Sequence, residues 1–451
     1  MRKGLLTVMT VLCLAGITGC GKDTPKTEHP GEVTKAATEE KTENQFVSED
    51  YEPGNKTKYL APMMKTDKGF YHYTYADQGL HYYDVATGKT MFLCNKPECR
   101  HDGNEFCVAT NQKYLTLNTC IYNDVILKYA AEETDTQYCF KVLSVALDGS
   151  SMNEIATTLE FEKPTEGFAV YQCFMYVHRN KAFLTMAGAG QAEIEEYHGA
   201  AILDLNTKEV TYLDETPFGS DNVAVESVTA FGDYFYYCRQ DGKKLLLHRY
   251  NINNGTDENF RLLPNFDGQY AVVDEDTIAY IKSAGTMVCT YRISTGQNTE
   301  QTRMMRQFYE NVGPEDGYQK SEKKKESKVI QLATDGTYIY AAEPNIEYMN
   351  EGENGELVVI RREAYIHVLN RDLEEVMLVD MGEAATKLGY DDMEWMGQSY
   401  TQTLRYMGDD IYWCMVPKGT TDSEWYVFRG NREDFIAGEP EFEYVYQYNG
   451  A

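Results

Sequence analysis

From Lys58 onward the chain alternates apolar and polar residues over short runs separated by Gly, Asn and Asp, and long 3.6-residue periodicity is scarce. Alternation of that length predicts half-buried β-strands joined by tight turns. One phrase recurs: an acidic or Gly turn leads into an aromatic strand, and a second strand then ends in an Asp/Asn and Gly-type turn. It is clearest in Asp67-Lys68-Gly69-Phe70-Tyr71 followed by Tyr82-Tyr83-Asp84-Val85-Ala86-Thr87-Gly88, and in Gly232-Asp233-Tyr234-Phe235-Tyr236-Tyr237 followed by 248–255. Further copies pair 123–127 with 147–149, 180–184 with 202–206, 276–280 with 291–296, 335–340 with 366–370, and 408–413 with 425–428.

A multi-strand repeat of this kind, recurring irregularly at about 40 to 75 residues, predicts an all-β fold in which each unit buries its faces against its neighbours, as the blades of a β-propeller do. Seven copies predict seven blades. Six or eight blades also fit the irregular spacing, because the segment between Met304 and Val329 lengthens one repeat, and an irregular pair of β-sandwiches is the competing arrangement. The phrases resemble the degenerate repeats of TolB-like and low-density-lipoprotein-receptor-type propellers, and the resemblance covers most of residues 60–450. Neither a WD signature nor a sialidase-type Asp box is present.

Two segments interrupt the β pattern. Arg303–Lys328 is charged, with Lys323, Lys324 and Lys325 in a cluster, and reads as a mobile solvated loop between strands. Glu383–Gln398 contains helix formers at 383–388 followed by Tyr390, Trp395 and Met396, and is expected to cap one face of the propeller channel.

The N-terminus has a different character. Arg2 and Lys3 precede an apolar run from Leu5 to Ile17, too short to span a membrane and typical of a secretory signal. Ile17-Thr18-Gly19-Cys20 resembles the lipobox of bacterial lipoproteins, which implies cleavage after residue 19 and attachment of diacylglycerol to Cys20. Residues 20–58 are then a lipidated cysteine and a linker rich in Lys, Thr and Glu with Pro25, Pro30 and Pro53; this composition cannot bury enough surface to offset its ordering entropy and predicts a disordered stalk. The propeller domain is expected over 59–451.

Composition sharpens this picture. The 36 Tyr against 18 Phe and 3 Trp favour strands and half-wet faces. A net charge of -29 repels phosphate backbones and excludes nucleic acid as a partner. The stalk carries little of that charge, so the acidity belongs to the folded part.

Chemistry concentrates in one place. Cys94, Cys99, His101 and Cys107 fall within fourteen residues, with Pro97 and Gly103 to turn the chain. Three thiols and an imidazole suit a tetrahedral structural Zn, although the spacing C-x₄-C-x-H-x₅-C matches no standard finger. Outside the cytoplasm the same cysteines can instead form a disulfide, with the odd thiol pairing to Cys120 or Cys139. Free buried thiols are the third reading, and a Cys nucleophile activated by His101, with Glu98, Asp102 and Glu105 as the acids on that loop, ranks behind all three. The segment resembles a CxxPxCxH…C motif of secreted propeller lipoproteins of Gram-positive bacteria. Cys173, Cys238, Cys289 and Cys414 lie in apolar strands and are expected to be buried.

The chain lacks a G-x-S-x-G elbow, an H-E-x-x-H pair, a P-loop and a G-x-G-x-x-G turn. These features together lead to the expectation of a lipid-anchored, non-enzymatic binding module on a Gram-positive type cell surface, joined to the membrane through Cys20 and taking a protein, peptide or glycan ligand. A carbohydrate-active hydrolase or lyase on the same scaffold, and an accessory of envelope transport or assembly, are the alternatives. No catalytic residue is assigned.

Overall fold

The computed structural model describes residues 64–449, apart from 75–76, 166, 191–195, 242–243, 261, 263, 304–306, 312–319, 327, 344–345, 352–356, 364, 390–403, 408 and 416–423. The expected signal, Cys20, the linker and the aromatic group at 390–396 lie outside the described residues.

Among the described residues are seven four-stranded antiparallel sheets. They span residues 64–92, 115–162, 169–212, 225–260, 266–303, 331–380 and 404–449, here blades 1 to 7. Within each blade the strands pair in chain order, and the first strands of blades 1 to 6 touch in succession, which makes them the inner strands of the ring. The protein is a seven-bladed β-propeller.

The seven sequence phrases fall one to a blade, marking its second strand and its third strand with the turn that follows. The local reason is a side-chain acceptor. Asp84 accepts from the Thr87 amide at 2.7 Å, Asp148 from Ser150 at 2.9 Å and Asp204 from Asn206 at 2.8 Å. Asn251 accepts from Asn253 at 2.9 Å, Asn370 from Asp372 at 3.0 Å and Asn431 from Glu433 at 2.7 Å. In blade 5 the acceptor comes from the preceding turn, where Asp276 takes the Ser294 amide at 2.6 Å. Short polar side chains that bond their own backbone in this way define turns.

Apolar side chains from adjacent blades meet in a cluster at every seam. Tyr73 and Leu80 meet Ile126 and Val145 between blades 1 and 2, and Tyr129 and Phe140 meet Val177 and Leu184 between blades 2 and 3. Phe183 meets Phe235 between blades 3 and 4, Tyr236 meets Tyr280 between 4 and 5, and Ile281 meets Ile339 between 5 and 6. Tyr340 and Ile366 meet Trp413 and Phe428 between blades 6 and 7, and Phe70 meets Tyr412 and Tyr446 where blade 7 returns to blade 1. The tyrosine excess is therefore seam material: Tyr122, Tyr129, Tyr236, Tyr237, Tyr280, Tyr412 and Tyr446 are among the largest fully buried side chains.

One expectation is revised. Within 303–328 the chain forms an antiparallel hairpin, Gln307–Asn311 with Lys320–Glu326, where the sequence suggested a loop. The alternation that marks a half-buried strand is absent from Lys320–Glu326, and lysines along a strand edge discourage further pairing. A second hairpin, Ile346–Glu351 with Leu357–Glu363, is inserted between the second and third strands of blade 6. The predicted helix is present as α1 (Met381–Lys387), capped by Asp380, which accepts from the Glu383 amide at 3.0 Å. It packs Met381, Ala384 and Ala385 into the seam between blades 6 and 7. A short α2 (Arg432–Ile436) puts Phe435 into the same seam. Among the described residues no helix is long and apolar enough to cross a membrane.

Candidate metal centre

Residues 93–114 carry the chain from the outer strand of blade 1 to the inner strand of blade 2. Backbone bonds pin this connection to both blades. Leu93 donates to Leu80 O at 2.8 Å and Leu80 to Ala109 O at 3.0 Å, while Asn95 donates to Gly149 O at 3.4 Å. Gly149 has φ +68°, and a Cβ there would lie 2.7 Å from the Leu93 carbonyl carbon and 2.8 Å from the Cys94 nitrogen, so the blade 2 turn admits the connection only as glycine.

The connection is folded on itself as well. Tight turns bring the Cys99 amide to Lys96 O at 3.1 Å and the Cys107 amide to Asn104 O at 3.0 Å. Gly103, at φ +83°, receives the Gln112 amide on its carbonyl at 3.2 Å and donates its own to Thr110 Oγ1 at 3.3 Å. The Asn111 side chain donates to Glu105 O at 2.8 Å and Lys96 Nζ donates to Phe106 O. His101 adopts φ +53°, a left-handed conformation uncommon for a residue with a Cβ.

These turns bring together all four donors singled out in the sequence. The sulfurs of Cys94, Cys99 and Cys107 and a ring nitrogen of His101 lie within 4.8 Å of one another. Cys107 is fully buried and the other three are half-buried. His101 Nδ1 lies 3.5 Å from Cys107 Sγ, and Thr110 directs both its amide, at 3.4 Å, and its hydroxyl, at 3.2 Å, to the same sulfur. Burial pushes the Cys107 thiol up, but the Thr110 hydroxyl, His101, the Thr110 amide and Cys99 outweigh it and bring it down to about 6. Cys99 moves the other way. The His101 amide pulls it down, while desolvation and the neighbouring Cys107 and Cys94 raise it.

An aromatic file leads to the cluster from blade 1. The rings of His72 and His81 stack at 5.4 Å, those of His81 and Phe92 lie 4.4 Å apart, and those of Phe92 and His101 stack at 4.7 Å. Beside the cluster an open groove is lined by Lys96, Pro97, Cys99, Arg100, Asp102 and Phe106, with Phe106 71% exposed. Among the loop acids, Asp102 accepts from Asn104 Nδ2 at 2.6 Å, which holds its carboxyl below the usual range.

No protein-family profile and no curated protein matches the chain. Among solved structures it is similar to one from a study of two prolyl endopeptidases, at 10% identity and TM-score 0.45, covering 86% of this chain and 48% of that one. An uncharacterised protein of Listeria monocytogenes EGD-e aligns at 6% identity and TM-score 0.41, over 75% and 85% of the two chains. A putative 6-phosphogluconolactonase of Bacteroides uniformis aligns at 10% identity and TM-score 0.40, over 87% and 96%. At such identities and scores no activity transfers, and the seven-bladed arrangement rests on the sheets described above.

The remaining cysteines behave as apolar residues. Cys173, Cys238, Cys289 and Cys414 are buried, and Cys120 and Cys139 lie half-buried on strands of blade 2. None of the nine described cysteines forms a disulfide. Thr110 and Phe92 were not singled out in the sequence. A hydroxyl three residues after a ligand-type cysteine is the one signal that would have pointed to Thr110.

Proposed function

We propose that the protein is a cell-surface lipoprotein, tethered through Cys20, whose propeller binds a protein, peptide or glycan without transforming it. The use of the carboxylates supports binding over catalysis. Asp84, Asp148, Asp204 and Asp276 close blade turns. Asp214 and Asp233 pair with Arg239 and Arg179, and Glu258 with Arg249. Acids engaged in this way hold the scaffold and leave recognition to the loops, the usual division of labour on a rigid fold.

The test exposes the purified full chain to glycan and peptide arrays, with every retained ligand recovered and weighed by mass spectrometry. Retention of intact ligand supports the reading; release of cleaved ligand overturns it in favour of a hydrolase or lyase. The anchor is tested separately. Cys20→Ala is expected to move the protein from the membrane fraction to the soluble fraction with unchanged circular dichroism, because stable anchoring by acyl chains depends on that one sulfur. A variant that stays with the membrane overturns the lipid anchor.

A further inference from the structure

We propose that Cys94, Cys99, His101 and Cys107 hold one Zn(II) ion in a closed tetrahedral site, and that the ion locks the 93–114 connection across the seam between blades 1 and 2. The geometry is close to what zinc requires. With Zn–S near 2.3 Å and Zn–N near 2.0–2.1 Å, a tetrahedron sets sulfurs about 3.8 Å apart and nitrogen about 3.6 Å from sulfur. His101 Nδ1 and Cys107 Sγ already stand at 3.5 Å, and no pair of donor atoms exceeds 4.8 Å, so the set closes by contracting about one ångström at most.

The donor chemistry selects the metal. Three soft sulfurs and one imidazole suit zinc and exclude the oxygen-seeking calcium and magnesium. Four protein donors fill the coordination sphere, which makes the site structural, with no position open to substrate. Three thiolates and a neutral imidazole leave the complex with one negative charge, and Lys96 and Arg100 line the groove beside it. Binding releases the thiol protons to solvent and forms four coordination bonds; no electron moves and no oxidant is consumed.

Thr110 is the positioning residue of this centre. Its amide and hydroxyl both meet Cys107 Sγ, the kind of outer contact that orients a ligand and tunes its hold on the metal. The neighbouring packing explains why a metal here has leverage. Val108 and Leu93, on either side of the cluster, enter the apolar seam with Ile126 and Val145. A bond between the two ends of the connection therefore fastens that seam.

The full chain, purified without chelators from zinc-containing medium, is expected to carry one zinc per chain by elemental analysis. The cluster thiols should resist a thiol reagent until a chelator removes the ion, and cobalt(II) taken up in its place should show thiolate-to-metal charge-transfer absorption. His101→Ala and Cys107→Ser should abolish retention, Cys289→Ser should not, and Thr110→Val should weaken zinc affinity roughly 10-fold. Chelation should make 93–114 the first site of limited proteolysis. A wild-type chain that neither contains zinc nor takes up cobalt overturns the site, whether its cysteines are free or joined in a disulfide; the cobalt measurement needs no variant to fold. Bound zinc with unchanged proteolysis overturns the lock.

Discussion

His367 sits in blade 6 between two carboxylates, with Nε2 3.0 Å from Glu343 Oε1 and Nδ1 2.5 Å from Glu375 Oε2. Burial lowers its pKa, but the hydrogen bonds and charges of Glu343 and Glu375 outweigh burial and raise it. An unfolded histidine titrates near 6.5. The contribution of His367 to stability is therefore complete below about 6.5 and is lost as pH rises through the higher folded value. His72 does the opposite. Burial, with a smaller push from His81 and opposition from Asp77, drives it down to about 3. Its unfolded form takes a proton that the folded form refuses, so stability falls by about 1.4 kcal/mol per pH unit from about 6.5 towards about 3. His178, also lowered by burial, adds to that acid limb. Urea midpoints measured across this range should peak near the crossover. His72→Phe should flatten the acid limb and His367→Gln the alkaline one. His367→Ala should cost about 3 kcal/mol, because Glu343, only 2% exposed, then loses its imidazole. An alkaline limb that survives in His367→Gln would rule out this assignment.

The turns show how far an element is written in its own residues. Asp335 accepts from the Thr337 amide at 2.8 Å, the Tyr338 amide at 2.7 Å, the Tyr340 hydroxyl at 2.5 Å and Arg432 Nε at 2.7 Å. Because Arg432 opens α2, this one carboxylate closes a blade 6 turn and ties it to the helix of blade 7. Asp335→Ala is expected to cost about 3 kcal/mol in chemical denaturation and Asp335→Asn less, since an amide oxygen keeps the turn but cannot neutralise the guanidinium. Equal losses would mean that the ion pair contributes nothing. The phrase Asp335-Gly336-Thr337-Tyr338-Ile339-Tyr340 was legible in the sequence because its acceptors act locally and its strand is fully buried. Outer strands such as Lys89–Phe92, mostly exposed, carry no comparable signal. The hairpin at 307–326 was illegible because its strand Lys320–Glu326 carries no apolar pattern in the sequence. The cysteine cluster was legible because one connection supplies all four donors. Thr110 and Phe92 were not, because their approach to Cys107 and His101 is set by how the connection folds back on itself and onto the outer strand of blade 1.

Across the whole molecule the distinctive problem is closure. Among the described residues blade 1 is built wholly from the first strands and blade 7 wholly from the last, so no exchanged strand fastens the ring. Side chains do it. The Phe70 ring stacks on Tyr446 at 4.9 Å and meets Tyr412 edge-on at 5.8 Å, and Tyr83 Oη donates to Val445 O at 3.1 Å. Every other seam joins blades consecutive in the chain, so a covalent connection limits how far its two sides can separate even when packing weakens. The seam between blades 7 and 1 has no such tether. Phe70→Ala and Phe183→Ala remove comparable buried rings, and each should cost about 3–5 kcal/mol. Their hydrogen-exchange maps should nevertheless differ. In a repeat array stability is transmitted through neighbouring interfaces, so a ring opened at its untethered seam frays from both ends. Phe70→Ala should therefore lose protection first in 64–92 and 424–449, while the blades between them stay protected. Phe183→Ala should leave those terminal blades protected and loosen blades 3 and 4. Uniform loss of protection in Phe70→Ala would mean that the ring unfolds as one unit, and that packing at its closing seam is no weaker than the six seams the chain itself bridges.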